Sequence, residues 1–411
     1  MSGREFFTAL TVAEALAGFR PARRTRVESV AREELLHRVP AADVLAPHAL
    51  PGFARSTVDG YAVRAADTFG ASDGLPAYLE LAGTVRMGRA AEVAVPAHGA
   101  VAIPTGAMIP HGADAVVMVE YTAETMPGTI EVTRPVAPGG GVVGADDDVP
   151  VRGVLVPAGR PLRAPDLGLL ASAGVSAVPV HARPRVAILS TGDEVVPPDT
   201  QELTAGQVRD ATASALAGLI RDAGGDPVYA GIVPDDADAL IEALRQALAE
   251  ADLVVISAGS SVGARDETAT AVAELGKIWC HGLAIKPGKP TMLAECDEIP
   301  LIGLPGNPLS ALVVFRLVGV PLVWRLAGCD QPPPQPRTRA RLTRNVASQA
   351  GRLDVIQVRL DQGPDTGLGA EPLHGPSALL SVLARADGCV LVPEPATGLD
   401  GGTEVDVMLY A

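Results

Sequence analysis

Between Arg185 and Ser257 the chain alternates short apolar runs with amphipathic stretches, and this rhythm constrains the fold more than any other feature. Arg185–Leu189, Pro227–Val233 and Leu253–Ser257 read as strands, and Gln207–Ala223 and Asp236–Ala249 as helices. The second helix carries Leu240, Ile241, Leu244, Ala247 and Leu248 on one face. Parallel strands cannot be joined by a tight hairpin; they need a crossover, which helices of this length supply. Residues 184–328 are therefore predicted to form one three-layer α/β domain around a parallel-type sheet.

The flanking segments read differently. The box Thr11-Val-Ala-Glu14 starts a helix that Pro21 stops, and Val30 to His37 is predicted as a second helical piece. Within residues 51–149, the segments Tyr78–Leu81, Glu92–Val95, Ala100–Ile103, Ala115–Val119 and Thr129–Val132 are separated by Gly and Pro turns, the pattern of a small β domain. Residues 136–165 are rich in Gly, Pro and Asp, which fits a return crossing between domains. After the stiff linker Gln331–Pro336, the runs Thr338–Leu342, Asp354–Leu360, Gly388–Val392 and Glu404–Leu409 read as strands of a second small β domain.

Charge excludes one large class of partner. Lys and Arg number 33 against 48 Asp and Glu, a net charge of −15, so no general basic field exists to bind nucleic acid. An anionic ligand must be held by a local cationic pocket. The four cysteines are scattered without a C-x-x-C pair, which argues against a zinc ribbon or disulfide framework and suits a reducing cytoplasm. Met1–Leu10 carries Arg4 and Glu5 and does not read as a signal peptide, and Leu309–Leu326 is interrupted by Arg316, Pro321 and Arg325, so no membrane span is expected. No G-x-G-x-x-G stands between a predicted strand and helix as a dinucleotide site requires, no Walker A loop occurs, and no metal-type His spacing or Ser/His/Asp signature can be assembled.

Three motifs fall where open α/β sheets bind ligands, beyond the carboxyl ends of strands. They are Ser190-Thr191-Gly192-Asp193-Glu194, the loop Ser257–Asp266, and the pair Lys286-Pro-Gly-Lys289-Pro290 with Gly303-Leu-Pro-Gly-Asn-Pro-Leu-Ser310. Each alone also reads as a surface turn. Together, small residues that expose backbone amides and two lysines on a proline-fixed loop supply the local positive character that the acidic whole lacks. Asp59 in an Asp-Gly turn, Thr105-Gly-Ala and Gly112-Ala-Asp would each pass for turn chemistry.

In this order the segments resemble the molybdopterin molybdotransferases, the MoeA-type proteins related to the gephyrin E domain. The resemblance runs over nearly the whole chain. It implies a homodimer whose protomers have four subdomains: 1–50 with 150–183 as an N-terminal helical linker part, 51–149 as a projecting β part, 184–328 as the molybdopterin-binding α/β domain, and 337–411 as a C-terminal β-barrel-like domain. It also implies a cytoplasmic transferase that takes adenylylated molybdopterin and molybdate and releases AMP with the help of Mg²⁺. Carried over position by position, Asp59, Thr105, Glu194, Asp235, Asp266, Lys286, Arg352 and Ser377 would be catalytic. Ser190, Thr191, Gly259, Ser260, Ser261, Gly263, Lys286, Lys289, Pro305, Asn307 and Ser310 would hold the pterin and oxyanion, and Asp266 with Asp235 or Glu194 would hold the cation. The chain departs from the family pattern at the loop Ala258–Ser261, at Gly282, where many relatives carry a basic residue, and at Arg209–Thr212. Those departures motivate an alternative, a non-catalytic pterin-binding scaffold; a molybdopterin adenylyltransferase is the third reading.

Overall fold

The computed structural model describes residues 9–257, 262–330, 332–363 and 367–410, with backbone only for 262–266. Helix α1 (Val12–Gly18) has the predicted capping box: the Glu14 amide donates to Thr11 Oγ1 at 3.1 Å and the Thr11 amide to Glu14 Oε2 at 2.8 Å. Val12, Ala15 and Phe19 enter the same core as Leu216, Leu283 and Phe315, so α1 is a buttress of the α/β unit.

The predicted helix over 30–37 is instead the strand Val27–Ala31 followed by a single 3-10 turn, Arg32–Glu34. This strand pairs antiparallel with Ala177–His181, and Val44–Leu45 pairs with Val154–Val156. Helix α2 (Ala164–Ser172) covers them, and one apolar cluster draws Val30, Leu35 and Ala46 together with Leu155, Leu170 and Val178. Strand pairing across some 150 residues overrode a weak local helical pattern.

Six strands form the sheet of residues 60–132: β1 (Gly60–Val63), β2 (Ala77–Thr84), β3 (Gly99–Ile103), β4 (Ala115–Met118), β5 (Thr122–Met126) and β6 (Thr129–Val132), in the order β4-β1-β3-β2-β6-β5. The strand expected at Glu92–Val95 is absent. Pro96 ends that run and removes a ladder donor, while Val93 and Val95 still pack inward as loop residues.

The α/β unit holds β7 (Arg185–Thr191), β8 (Asp226–Val233), β9 (Leu253–Ser257), β10 (Lys277–His281), β11 (Met292–Cys296) and β12 (Ile299–Leu304) in the order β8-β7-β9-β12-β11-β10. The first four are mutually parallel, as the strand–helix rhythm requires, but β11 is antiparallel to both β12 and β10. The sheet is therefore mixed, not parallel throughout. Helices α3 (Ala211–Asp222), α4 (Ala237–Glu250) and α5 (Val262–Leu275) flank it, and the apolar residues sort into two clusters, one on each face.

The stretch Pro308–Leu326 has the length and apolarity of a membrane span, yet 78% of its apolar window is buried inside the protein. It is a core helix in two pieces, α6 (Pro308–Val314) and α7 (Val320–Leu326), joined by a π turn, Phe315–Gly319. Pro321 lacks an amide hydrogen and crowds the preceding turn, a sufficient cause for the widening.

Beyond residue 336, β13 (Arg337–Leu342), β14 (Leu353–Gly363), β15 (Gly367–Pro372), β16 (Gly388–Val392) and β17 (Glu404–Leu409) close into a five-stranded barrel in the order β14-β15-β13-β17-β16 and back to β14. Between β15 and β16 lies the short helix α8 (Leu380–Ala384). A two-residue strand, Ile285–Lys286, adds in parallel to β14 and ties the barrel to the α/β unit.

Candidate active site

That small parallel pairing builds the site. It sets Ile285 opposite Leu353 and Lys286 opposite Asp354, so the Lys-Pro-Gly-Lys loop of one unit is registered against the Arg352 strand of the other. A cavity of about 860 Å³ opens at this junction, within the range of small-molecule sites. Lys286, Lys289, Pro305, Asn307, Ser310, Arg352 and Ser377, seven residues named from the sequence, all line it. Four separate segments thus converge on one space.

Gly288 holds the two lysines apart. Its φ is +123°, and a Cβ there would stand 2.3 Å from Val314 Cγ2, so no side chain fits between the loop and α6. The Thr291 hydroxyl donates to the Gly288 carbonyl at 2.7 Å and fixes the turn, and the Lys286–Pro287 bond is cis. Both lysines are exposed, and among the described residues neither is paired with a carboxylate. Arg352 is held differently: its Nε donates to Asp354 Oδ1 at 2.7 Å and its Nη2 to Oδ2 at 3.4 Å, with Asp354 only 1% exposed. Buried Asp354 orients the guanidinium while leaving donor capacity toward the cavity.

Asp354 was not singled out in the sequence. Its signal was a carboxylate at the start of a predicted strand, two residues from Arg352 and hence on the same strand face. Ser310 is 4% exposed, and the Leu309 amide just before it donates to the Ser377 carbonyl at 3.2 Å, which draws the α6 start to the loop before α8.

Other predicted residues lie elsewhere. Ser190 and Thr191 are buried at 2% and 4% exposure and do not line the cavity. The Ser190 hydroxyl donates to Asp210 Oδ2 at 2.6 Å, and Asp210 also caps α3 by accepting from the Ala213 amide at 3.0 Å. At the buried end of its strand, Ser190 braces a helix start. Tyr229 donates to the same carboxylate, and burial followed by the charge of Asp210 pushes its phenol up to about 12. The departure at Arg209–Thr212 thus retains a capping acid.

Glu194 and Asp235 belong to an acidic group at the ends of β7 and β8. The Asp235 amide donates to Asp193 Oδ1 at 3.2 Å, and the Asp235 carboxyl is held above the usual range, first by burial and then by the charges of Asp193, Glu194 and Glu267. Gly192, at φ +134°, leaves room for Glu194, whose Oε2 would lie 2.7 Å from a Cβ at that position. Carboxylate oxygens are the donors a hard cation takes, and mutual repulsion is what such a cation relieves. Among the described residues, no three of these groups already stand at metal-binding spacing. Gly259, Ser260 and Ser261 lie outside the described residues, and Gly263 and Asp266 fall on the first turns of α5, where only the backbone is described.

Asp59 and Thr105 meet on the β1–β6 sheet, outside the cavity lining. The Thr105 amide donates to Asp59 Oδ1 at 2.8 Å and its hydroxyl to the same oxygen at 3.0 Å, holding the exposed carboxyl below its ordinary range. Gly282 has φ +123°, a conformation that disfavours any side chain, which accounts for glycine there.

Known proteins resemble this chain over nearly its whole length. Residues 10–174 match the model "MoeA N-terminal region (domain I and II)", 187–325 match "Probable molybdopterin binding domain", and 339–410 match "MoeA C-terminal region (domain IV)". The molybdopterin molybdenumtransferase of Bacillus subtilis is 32% identical over 400 residues, 93% of this chain and 89% of that one. That of Haemophilus influenzae is 35% identical over 330 residues, 80% of each chain. The crystal structure of a molybdopterin biosynthesis MoeA protein from Pyrococcus horikosii superposes with a TM-score of 0.79 at 36% identity, covering 98% of this chain and 99% of its own. A second, from Pyrococcus horikoshii OT3, gives a TM-score of 0.84 at 30% identity, covering 98% and 100%. The chain belongs to the MoeA family, the molybdopterin molybdotransferases.

Proposed function

We propose that the chain is a molybdopterin molybdenumtransferase that inserts molybdate into adenylylated molybdopterin and releases AMP. The observation that carries this reading is the convergence of Lys286, Lys289, Arg352, Ser310 and Ser377 on one cavity in a chain whose net charge is −15. A tetrahedral oxyanion needs several donors fixed in advance, and charged donors aimed at it act far more strongly inside a cleft than in water. Lys286 and Lys289 gather the oxyanion, Ser310 and Ser377 offer hydroxyls, and Arg352, oriented by Asp354, supplies a planar fork. The same positive field offsets the nucleotide phosphate of the pterin substrate.

Mg²⁺ fits the donor chemistry of Glu194 and Asp235, with Asp266 as a further candidate ligand, and would supply charge neutralisation at the phosphates when bound. Asp59 and Thr105 lie outside the cavity of their own chain, so in this reading they serve the cleft of a second copy, and the protein works as a cytoplasmic homodimer. The test is direct. Purified protein given adenylylated molybdopterin, molybdate and Mg²⁺ releases stoichiometric AMP and yields cofactor that activates an apo-molybdoenzyme. Intact pterin binding without AMP release would refute the enzyme and favour the scaffold.

A further inference from the structure

Behind the wall of the cleft lies a second cavity, of about 300 Å³, at the low end of the range for small-molecule sites. Leu219, Leu312, Leu380 and Leu383 give it an apolar wall, and Arg316 and Tyr410 complete it. The Arg316 guanidinium stands 4.4 Å above the centre of the Tyr410 ring, and among the described residues no carboxylate pairs with it. An aromatic face attracts a cation but takes none of its N–H groups in the ring plane. Arginine stays charged at any physiological pH, so this cavity permanently joins one cation to a hydrocarbon lining.

The cavity shares its wall with the cleft. Leu380 and Leu383 of α8 face it, whereas Val382 of the same helix lines the cleft. Tyr410 hydrogen bonds through its hydroxyl to Gln357 Oε1, and Gln357 lines the cleft, its Nε2 buried without a partner.

We infer that the rear cavity is a second ligand site, taking a small monocarboxylate with an aliphatic or aromatic body. The carboxylate pairs with Arg316 and the body lies among the leucines of α3, α6 and α8. Charge complementarity selects this class: a neutral hydrocarbon leaves the guanidinium unpaired, and a polyanion strands charge against leucine.

Calorimetry on the full chain with hexanoate as the probe, and 1-hexanol as its neutral counterpart, tests this. Hexanoate should bind saturably, with hexanol at least tenfold weaker. Arg316→Gln should weaken hexanoate at least tenfold and leave hexanol unchanged, and Leu383→Trp, which fills the cavity, should abolish both. Arg352→Ala should leave hexanoate affinity unchanged, which separates this site from the oxyanion cleft and makes the outcome independent of the molybdate reading. Equal affinity for hexanoate and hexanol, undiminished binding by Arg316→Gln, or loss of binding in Arg352→Ala overturns the proposal. If Leu383→Trp fails to fold, a crystal soaked with 4-bromobutyrate decides: bromine in the rear cavity supports the site, and bromine elsewhere refutes it.

Discussion

Replacing Gly288 with alanine is the sharpest test of how the lysine loop is held. The new Cβ meets two costs. Gly288 has φ +123°, where an L residue is disfavoured by about 1–2 kcal/mol. The Cβ would also stand 2.3 Å from Val314 Cγ2 and 3.3 Å from Ile285 Cγ2. Val314 is fully buried and cannot swing aside, and forcing a methyl into a packed core costs about 1–3 kcal/mol. If the loop holds its place, Gly288→Ala should lose about 2–5 kcal/mol of unfolding free energy, measured by urea denaturation. If the loop moves instead, the lysines lose their positions and molybdate affinity by calorimetry should fall about tenfold, a shift of roughly 1.4 kcal/mol. The partner for a cycle is Val314→Ala, which removes the clashing atom. Alone it should cost about 1–3 kcal/mol for two buried methyl groups and the space they leave. Combined with Gly288→Ala it should cost less than the sum by at least about 1 kcal/mol, because the steric part of the first change disappears while the backbone part stays. Strict additivity, or a Gly288→Ala protein with unchanged stability and affinity, would refute the argument that close approach to α6 fixes the loop.

Four further outcomes follow from the site. Lys286→Ala and Lys289→Ala should each weaken molybdate binding by about tenfold to a hundredfold, the worth of one charged hydrogen bond, and flatten its salt dependence; full affinity in both would remove the lysines from the site. Asp354→Ala should weaken molybdate to a degree similar to Arg352→Ala, and the double variant should lose little more, since the carboxylate acts through the guanidinium; additive losses would show independent roles. Asp59 should titrate below an ordinary aspartate by carbon-detected NMR, because the Thr105 amide and then its hydroxyl favour the charged form. Its stabilising contribution is thus present above the unfolded value and lost only as pH falls through the lower folded one, and Thr105→Val, which removes the hydroxyl but keeps the amide, should move the midpoint part of the way up. Asp235 has the opposite sign: burial and neighbouring carboxylates raise it, so its ionisation opposes folding as pH rises through the raised value. Added Mg²⁺ should raise the melting temperature above that pH and lose its effect below it, whereas a flat response in this range would take the acidic cluster out of cation binding.

What could be read in the sequence, and what could not, divides along contact range. The helix–strand rhythm after Arg185 was legible because each crossover helix buries one face locally, as Leu240, Leu244 and Leu248 do. The Lys-Pro-Gly-Lys and Gly-Leu-Pro-Gly-Asn-Pro loops were legible because proline and glycine encode backbone geometry within a few residues. Asp354 was not, since its place beside Lys286 depends on a two-residue parallel pairing between segments some 68 positions apart. Strand Val27–Ala31 was lost for the same reason: its partner is Ala177–His181, and nothing between residues 27 and 37 announces it. Ser190 is ambiguous in another way. A hydroxyl at the end of a buried strand looks identical in sequence whether it faces a ligand or a capping aspartate, and the 2.6 Å bond to Asp210 is visible only in the fold. Local motif chemistry thus identified the lysines of the cleft and the family resemblance its arginine, while the groups that aim them, Asp354 on Arg352 and Val314 against Gly288, are tertiary, and it is on those second partners that substitutions will tell positioning from charge.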